Sequence, residues 1–323
     1  MEKFGKFIME PNNNDQSLIL EKITDDNTWD NFSLQNNCGN FFASSSFLNS
    51  YGKKVQKFFL KEDKKILASF VYSGDKPLPY ALYNSIIISE NNAQNQKKIG
   101  KNFKILTTLL ELVSKEKKSF YLSLHPDIID LRPFQWHNYN LKNKKKFKLI
   151  LQYTGVIELD DYTDFDQFLG TIRSVRRQEY RKAINSKLII TKSKNVKNFL
   201  NLYRKTFARQ NLKIYDEKLV QSILNQLIIS DSGDILFCSD HQDNLISAIV
   251  IAHDKSCSYY LFGASDPRYR NMHGNTYLIL NSIEKLFYDG RKKFDLCGVN
   301  SPNRGDFKLS FNAKLIPYFS AKL

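Results

Sequence analysis

The chain has 323 residues, of which 42% are hydrophobic and 13% aromatic, and its Lys and Arg exceed its Asp and Glu to give a formal net charge of +15. That length suits two domains of roughly 150 residues each, and the apolar content is that of a globular chain. No apolar run approaches the roughly 18 residues of a membrane-spanning helix, and residues 1–14 carry no signal-peptide pattern. We therefore expect a soluble, cytoplasmic protein without integral membrane contact.

The cysteines and histidines give no sign of a metal site. The four cysteines are widely scattered, and they are Cys38, Cys238, Cys257 and Cys297. Without a Cys-x-x-Cys pair they argue against a zinc site and against a disulfide framework, and buried thiols are the favoured interpretation. The five histidines are equally dispersed. The sequence predicts no metal.

The positive charge points to an anionic partner, either nucleic acid, a phosphorylated precursor or a membrane surface. The chain is also rich in Lys, Asn and Ile, which is typical of a biased genome. Composition alone therefore explains the overall charge about as well as an anionic partner does, and the local placement of basic residues is more informative.

Hydrophobic patterns in the first half predict a mixture of strands and helices. In chain order they are a strand and helix within 18–32, hairpin strands at 58–60 and 65–72, a strand at 83–88, a helix at 101–117 and a strand at 119–124. A loop at 130–136 and a run of lysines at 142–148 follow. We place a domain boundary near residue 148, and the order of elements indicates an α/β or α+β domain.

The second half repeats the first in coarse outline. Its predicted strands are at 153–159, 234–239, 245–253, 257–262 and 294–299, with a helix at 274–288. No residue-level repeat is visible, yet the similar order of elements fits a tandem of one fold.

Residues 164–187 predict one amphipathic helix with a basic face. Its apolar stripe consists of Phe165, Phe168, Ile172 and Val175. The opposite face carries Arg173, Arg176, Arg177, Tyr180 and Arg181. With Glu179 as the nearby acid, four guanidiniums around a tyrosine predict a surface that binds phosphates and stacks a base. A solvated face whose arginines pair with acids elsewhere in the fold is the alternative.

The segment from Tyr259 to Phe319 is the most specific pattern in the chain. A strand, a helix, a second strand with a turn at its end and the pair Phe307-Lys308 form a compact αβ unit. This arrangement resembles the C-terminal half of the Fem-type aminoacyltransferases, which are built from GNAT-like folds. Segments 130–136, 153–155 and 172–183 are similar to sequence segments that occur in the same order in that family. The coiled-coil arm that some members insert in the second domain is absent.

The resemblance implies two GNAT-like domains in tandem, residues 1–148 and 149–323, each with a mixed central sheet flanked by helices. The implied reaction is attack by an amine on an activated acyl carbonyl, with the second domain carrying the acyl-transfer site. It implies no bound cofactor. The donor would be aminoacyl-tRNA, or acyl-CoA in the alternative, and the acceptor an amine-bearing envelope precursor such as a peptidoglycan intermediate.

The same resemblance implies the site residues. Phe307-Lys308 matches a Phe-Lys pair of the family. Lys308 would therefore hold the donor's phosphate or the oxyanion of the tetrahedral intermediate. Asp295, at the end of a predicted strand, would orient the amine or take its proton. Tyr260 would line the site. The family's acceptor-binding Arg and Tyr cluster aligns only loosely, and its nearest candidates are Arg209 and Tyr215.

The sequence of the loop at 268–275 indicates how well the protein could bind an acyl-CoA donor. An acetyl-CoA enzyme of this fold would carry Gln/Arg-x-x-Gly-x-Gly/Ala there to cradle a pyrophosphate. This loop keeps Arg268, Arg270 and one glycine, Gly274, but lacks the second glycine. Pyrophosphate binding is thereby weakened without being excluded. His273 could act as a base, although a lone loop histidine is more often a hydrogen-bonded surface residue.

Three functions remain in view. The first is a Fem-like N-acyltransferase that uses an aminoacyl-tRNA, and the second an acyl-CoA-dependent N-acyltransferase that acts on an amino sugar or amino acid. The third is a non-catalytic RNA-binding protein on a degenerate transferase fold. The basic face favours the first and third, the incomplete loop disfavours the second, and the retained Phe307-Lys308 disfavours the third. The oligomeric state stays open.

Overall fold

A computed structural model of the chain describes residues 7–8, 18–36, 38–89 and 96–323. Apart from 7–8, the stretch 1–14, on which the absence of a signal peptide was predicted, lies outside the described residues. The chain divides into two compact units, Met1–Gln152 with Pro317–Leu323, and Tyr153–Ile316. The last seven residues thus group with the first unit. In the described ranges no helix has both the length and the apolar character needed to cross a membrane.

The first unit contains a five-stranded sheet flanked by helices. Its elements are β1 (Phe7–Ile8), β2 (Leu18–Ile23), α1 (Asp26–Ser33), α2 (Ser45–Asn49), β3 (Gln56–Glu62), β4 (Lys65–Tyr72), β5 (Ile86–Ile88), α3 (Gln96–Glu116), β6 (Tyr121–Ser123) and α4 (Arg132–Trp136). Strands β1 to β5 are antiparallel neighbours in that order. The predicted loop at 130–136 therefore contains a short helix, which Pro133 can begin because its nitrogen needs no hydrogen bond in the first turn.

The two faces of the first sheet are covered by different helices. Phe58 and Leu60 of β3 belong to the core cluster that contains the buried side chains of α3. Phe59 points to the opposite face, where its ring stacks on Trp29 of α1 at 5.5 Å between centroids. Trp29 is completely buried, and its indole nitrogen donates to the Ala43 carbonyl at 2.7 Å. Successive side chains of β3 thus point to opposite faces of the sheet, and each face is covered by a helix.

The second unit also has a central sheet with helices around it. Its elements are β7 (Lys148–Glu158), α5 (Phe165–Thr171), α6 (Ser174–Asn185), β8 (Ile189–Lys192), α7 (Val196–Arg209), α8 (Glu217–Ile229), β9 (Gly233–Ser239), β10 (Leu245–His253), β11 (Cys257–Ser265), α9 (Gly274–Tyr288), β12 (Lys293–Asp295) and α10 (Pro302–Leu309). The last strand is β13 (Lys314–Lys322), and its residues from Ser320 to Lys322 pair with β6 within the first unit.

The sheet of the second unit is mixed, with strand order β7-β12-β11-β10-β9-β8. Its pairs are antiparallel except for β11 with β12, which run parallel and are in register only from Cys257–Lys293 to Tyr259–Asp295. Strand β11 continues to Ser265, whereas β12 stops. The two strands therefore do not pair with each other beyond Tyr259 and Asp295, although β11 keeps its pairing with β10.

The prediction of a single helix for residues 164–187 is wrong, because the structure has two helices there, α5 and α6. The chain is extended at Ile172, with ψ of 160°, and at Arg173, with ψ of 139°. Ile172 is buried in the core, and Nη1 of Arg177 donates to the carbonyls of Gly170 and Ile172 at 2.8 and 2.6 Å. The Arg177 side chain thus satisfies carbonyls that the end of α5 leaves without helical partners.

The buried tryptophan gives a test of the first unit's core. Trp29→Ala should lower the free energy of unfolding by about 3–5 kcal/mol, because the fully buried indole leaves a cavity and a carbonyl without its donor. Trp136→Ala is the matched control, since this side chain is 54% exposed, and it should change stability by less than about 1 kcal/mol. Urea unfolding followed by circular dichroism measures both, and equal losses would contradict the assignment.

Candidate active site

Asp295 builds a turn at the open end of β12. Its carboxylate accepts from the Thr154 hydroxyl at 2.5 Å and from the Cys297 backbone nitrogen at 2.7 Å. The Thr154 oxygen in turn accepts from the Gly298 nitrogen at 3.1 Å. Cys297 and Gly298 both have left-handed backbones, with φ of 56° and 55°. The predicted strand at 294–299 therefore ends at Asp295, and the buried carboxylate holds the reversal that follows.

Lys308 lies on helix α10. Helix α10 carries it back to the turn, where its ammonium donates to the Gly298 carbonyl at 3.1 Å and to the Cys297 carbonyl. The ammonium also lies 5.6 Å from the centre of the Tyr260 ring. Burial lowers the pKa of Lys308, because the charged form loses hydration there. A half-buried cation is thus fixed where β11 and β12 separate.

Tyr260 lies below this cation because of a bulge in β11. Pairing with β10 shifts between Val250–Phe262 and Ile251–Tyr260, so Leu261 is an extra residue. The Tyr260 hydroxyl consequently lies over Gly263, where an added Cβ would meet it at 2.0 Å. Tyr260 is 7% exposed, and burial raises its pKa. The structure brings Tyr260 to Lys308, and the ring is a buried platform with little surface for a substrate.

Phe307 connects the site to the basic helix. Its ring packs edge-on against Phe311 at 5.2 Å, and the Arg176 guanidinium lies 5.0 Å from its centre. Arg173 binds the Asp306 carboxylate at 2.7 Å, and its backbone nitrogen donates to the Ser310 carbonyl at 3.1 Å. The first turn of α6 is therefore docked against α10. Two groups of residues that the sequence predicted separately are neighbours in the second unit.

Most other residues of the predicted basic face make contacts within the protein. Arg176 pairs with Glu179 at 2.6 Å, and Arg177 is bound to the end of α5. Tyr180 is in the core, where its ring packs with Tyr277, so it has no exposed ring face for a base. Arg181 is exposed. The regular spacing suggested one surface, but the break after α5 turns part of it inward.

The loop before α9 is held by a buried carboxylate. Arg268 donates to both oxygens of Asp266 at 3.1 and 2.8 Å, and Lys205 reaches the same group at 2.6 Å. The Arg268 hydrogen bonds are the main reason that the pKa of Asp266 is lowered. Arg270 is exposed. His273, with φ of 58°, ends the loop, and its Nδ1 lies 3.6 Å from Glu179.

Gly274 begins α9 because its neighbours leave no space for a side chain. An added Cβ would lie 2.4 Å from the Ser247 hydroxyl oxygen.

Arg209 is exposed at the end of α7, and Tyr215 is 78% exposed before α8. Within the described ranges, no hydrogen bond, ion pair or ring contact links either residue to Lys308, so their predicted role in acceptor binding stays a prediction.

Two residues beside Lys308 were not predicted. Thr154 carries the hydrogen bonds of the turn, and a buried threonine in a strand gives no signal of such a role. Arg304 lies one helical turn before Lys308, and its charge helps to lower the Lys308 pKa. The i, i+4 spacing of the two cations on α10 was visible in the sequence and could have identified Arg304.

Comparisons with known proteins identify the fold. Residues 166–309 match the model of an acetyltransferase (GNAT) domain. FemX superposes with a TM-score of 0.67 at 13% identity, covering 93% of this chain and 96% of that one. The chain has the tandem GNAT fold. The expected fold class is confirmed, as is the resemblance to Fem-type proteins at the level of the fold, and the described residues contain no coiled-coil arm.

Two other solved structures are similar over nearly their full length. L-PGS from Bacillus licheniformis has a TM-score of 0.56 at 10% identity, covering 93% of this chain and 92% of that one. A tandem GNAT protein from the clavulanic acid biosynthesis pathway has a TM-score of 0.54 at 7% identity, covering 95% and 98%. A search of curated proteins finds no significant match. Likeness at these identities shows the fold alone.

The packing of α10 gives a test of how Lys308 is positioned. An added Cβ at Gly305 would lie 2.4 Å from the Val299 carbonyl oxygen, so Gly305→Ala should cost about 1–3 kcal/mol of unfolding free energy. Gly170→Ala in α5 is the control, because nothing lies within 4 Å of its added Cβ, and it should be neutral or stabilising by up to about 1 kcal/mol. Denaturant unfolding compares the two variants, and an unaffected Gly305→Ala would contradict this packing.

Proposed function

We propose that the protein is an N-acyltransferase of the Fem-like type. It transfers an aminoacyl or acyl group from an activated donor, aminoacyl-tRNA in the first place, to an amino group of a cell-envelope precursor. The observation that carries the proposal is Lys308, an ammonium held by the Cys297 and Gly298 carbonyls where β11 and β12 separate. The match of residues 166–309 to an acetyltransferase (GNAT) domain supports the same reaction class.

A fixed hydrogen-bond donor beside the acyl carbonyl, such as an ammonium group, speeds this chemistry. The acceptor amine attacks the carbonyl carbon, a C–N bond forms, the ester C–O bond breaks, and the proton lost by the amine goes to the departing hydroxyl. Negative charge develops on the carbonyl oxygen in between. Of the three N–H groups of Lys308, two have carbonyl partners, which leaves one for that oxyanion or for a donor phosphate.

Cations around α10 support an anionic donor such as tRNA. Arg304 lies one turn before Lys308, and Arg173 is half-exposed at the start of α6 although it pairs with Asp306. Arg181 adds an exposed charge on the next turns of α6. Such cations near a transfer site can neutralise phosphates and release counterions. The fully exposed part of the basic face is smaller than the sequence predicted.

An acyl-CoA donor is the second candidate, and the start of α9 favours it. The helix follows the loop after β11, and its first backbone N–H groups together with the exposed Arg270 of that loop form an environment suited to a phosphate. Arg268 contributes less, because it is held by Asp266. The acceptor in this case is an amino sugar or amino acid. A non-catalytic RNA-binding protein is the remaining alternative.

Replacement of Lys308 separates an enzyme from a binding protein. Lys308→Met should reduce transfer from charged tRNA or from acetyl-CoA to a panel of amines by about 100-fold or more. Its folding should not suffer strongly, because a lowered pKa means that the charged form of Lys308 costs stability, a cost that methionine does not have. Transfer is measured with a radiolabelled acyl group, and thermal unfolding is measured in parallel.

Lys314→Met is the control for this experiment, since Lys314 is exposed and pairs with Asp161. It should transfer at the wild-type rate. Full activity of Lys308→Met would remove Lys308 from the site. Wild-type protein that binds tRNA tightly and transfers nothing to any amine would favour the RNA-binding alternative.

The donor is tested by titration with bulk tRNA and with acetyl-CoA, at low and near-physiological salt. Arg173→Gln with Arg181→Gln should weaken tRNA binding and lower the slope of log K against log salt by up to about 2, because each lost phosphate contact releases one counterion fewer. Lys218→Gln, which removes an exposed charge from α8, should leave the slope nearly unchanged. Saturable acetyl-CoA binding, with tRNA lost on adding salt, would instead support the acyl-CoA donor.

A further inference from the structure

Three residues of the first unit that are distant in sequence bring metal-ligand atoms together. Cys38, His125 and Asp127 each place a side-chain ligand atom within 4.8 Å of those of the other two. Nδ1 of His125 lies 3.6 Å from the Asp127 carboxylate. A thiol, an imidazole and a carboxylate are the three side-chain ligand types that zinc takes in proteins.

The surrounding backbone holds two of these residues in place. Cys38 lies between α1 and α2, and its carbonyl accepts from the Asn40 amide at 2.9 Å. The same Asn40 amide donates to the Tyr83 carbonyl at 3.2 Å. The Tyr83 ring packs edge-on against His125, with centroids 5.6 Å apart. One residue, Tyr83, therefore positions both the cysteine segment and the histidine ring.

Burial changes in a graded way across the cluster. Cys38 is completely buried, the His125 side chain is 18% exposed and the Asp127 side chain is 61% exposed. An ion can therefore enter from the Asp127 side and reach a thiol that solvent does not. A buried thiolate is costly unless a cation accompanies it, and two anionic ligands with one neutral imidazole balance the charge of a divalent ion.

We propose that Cys38, His125 and Asp127 bind one thiophilic divalent metal ion, zinc first, with a fourth position left for water or another ligand. Zn–S of about 2.3 Å and Zn–N or Zn–O of about 2.0–2.2 Å place tetrahedral ligand atoms roughly 3.3–3.7 Å apart. His125 Nδ1 and the Asp127 carboxylate, 3.6 Å apart, already have this spacing, and no separation within the cluster exceeds 4.8 Å, so a closure of at most about 1 Å completes the site. The soft thiolate selects zinc over magnesium and calcium.

Such an ion would tie the segment between α1 and α2 to the segment that follows β6. This proposal goes against the sequence-based expectation of no metal, because ligand spacing along a chain reveals only ligands on one turn or helix. It is independent of the acyl-transfer site, since every ligand belongs to the first unit. Binding requires loss of the thiol proton, so the apparent affinity should rise with pH.

Cobalt binding to the tag-free, metal-stripped full chain tests the proposal. Addition of Co²⁺ should produce a thiolate-to-cobalt charge-transfer band in the near ultraviolet that saturates at one equivalent, and Zn²⁺ should abolish it one for one. Cys38→Ala should lose the band. Asp127→Asn, a change at an exposed side chain that should leave folding intact, should weaken cobalt and zinc affinity about tenfold or more.

Two variants serve as controls. Cys238→Ala removes another buried thiol, and His241→Asn an exposed histidine, and both should keep the band and the affinity. Circular dichroism verifies folding in each sample. A folded wild-type chain without a charge-transfer band, a band that survives Cys38→Ala, or an affinity unchanged in Asp127→Asn would overturn the proposal and leave Cys38 as a small apolar core residue.

Discussion

The end of the parallel pairing between β11 and β12 is the constraint on which the second unit's site depends. Beyond Tyr259 and Asp295 the two strands no longer pair with each other, and although the amides of Leu296 and Val299 still donate to β7, the turn between them needs other partners. Asp295 and Thr154 accept from the amides of Cys297 and Gly298, and Lys308 donates to the carbonyls of the same two residues. The proposed catalytic ammonium thus also supplies hydrogen bonds that the backbone of this turn needs.

That dual role explains why the site combines burial with charge. Lys308 carries an ammonium into a half-buried position, which lowers its pKa and costs stability. The two carbonyls and the Tyr260 ring offset part of this cost. The arginines of α6 have a similar division, since Arg176 and Arg177 mainly satisfy groups within the fold whereas Arg181 stays exposed. A residue can therefore match a functional pattern and still be needed mainly for packing.

The two units share an architecture but differ in the chemistry that each places at its loops. The second unit gathers cations around α10, close to Lys308. The first unit gathers a thiol, an imidazole and a carboxylate between the α1–α2 segment and the residues after β6. Both groupings lie beside strands that end within the domain, β12 and β6, where side chains from distant segments meet.

The sequence by itself determined the elements whose periodicity is local, because hydrophobic spacing is set within each helix or strand. Strand Leu245–His253 and helix Gly274–Tyr288 occur with the predicted bounds, and the Phe307-Lys308 pair was recognisable from its resemblance. Only the tertiary structure decided that the chain breaks at Ile172, that Lys308 lies on a helix, that Tyr180 is buried and that Cys38 lies beside His125. Those features depend on contacts between segments distant in sequence, which no local pattern records.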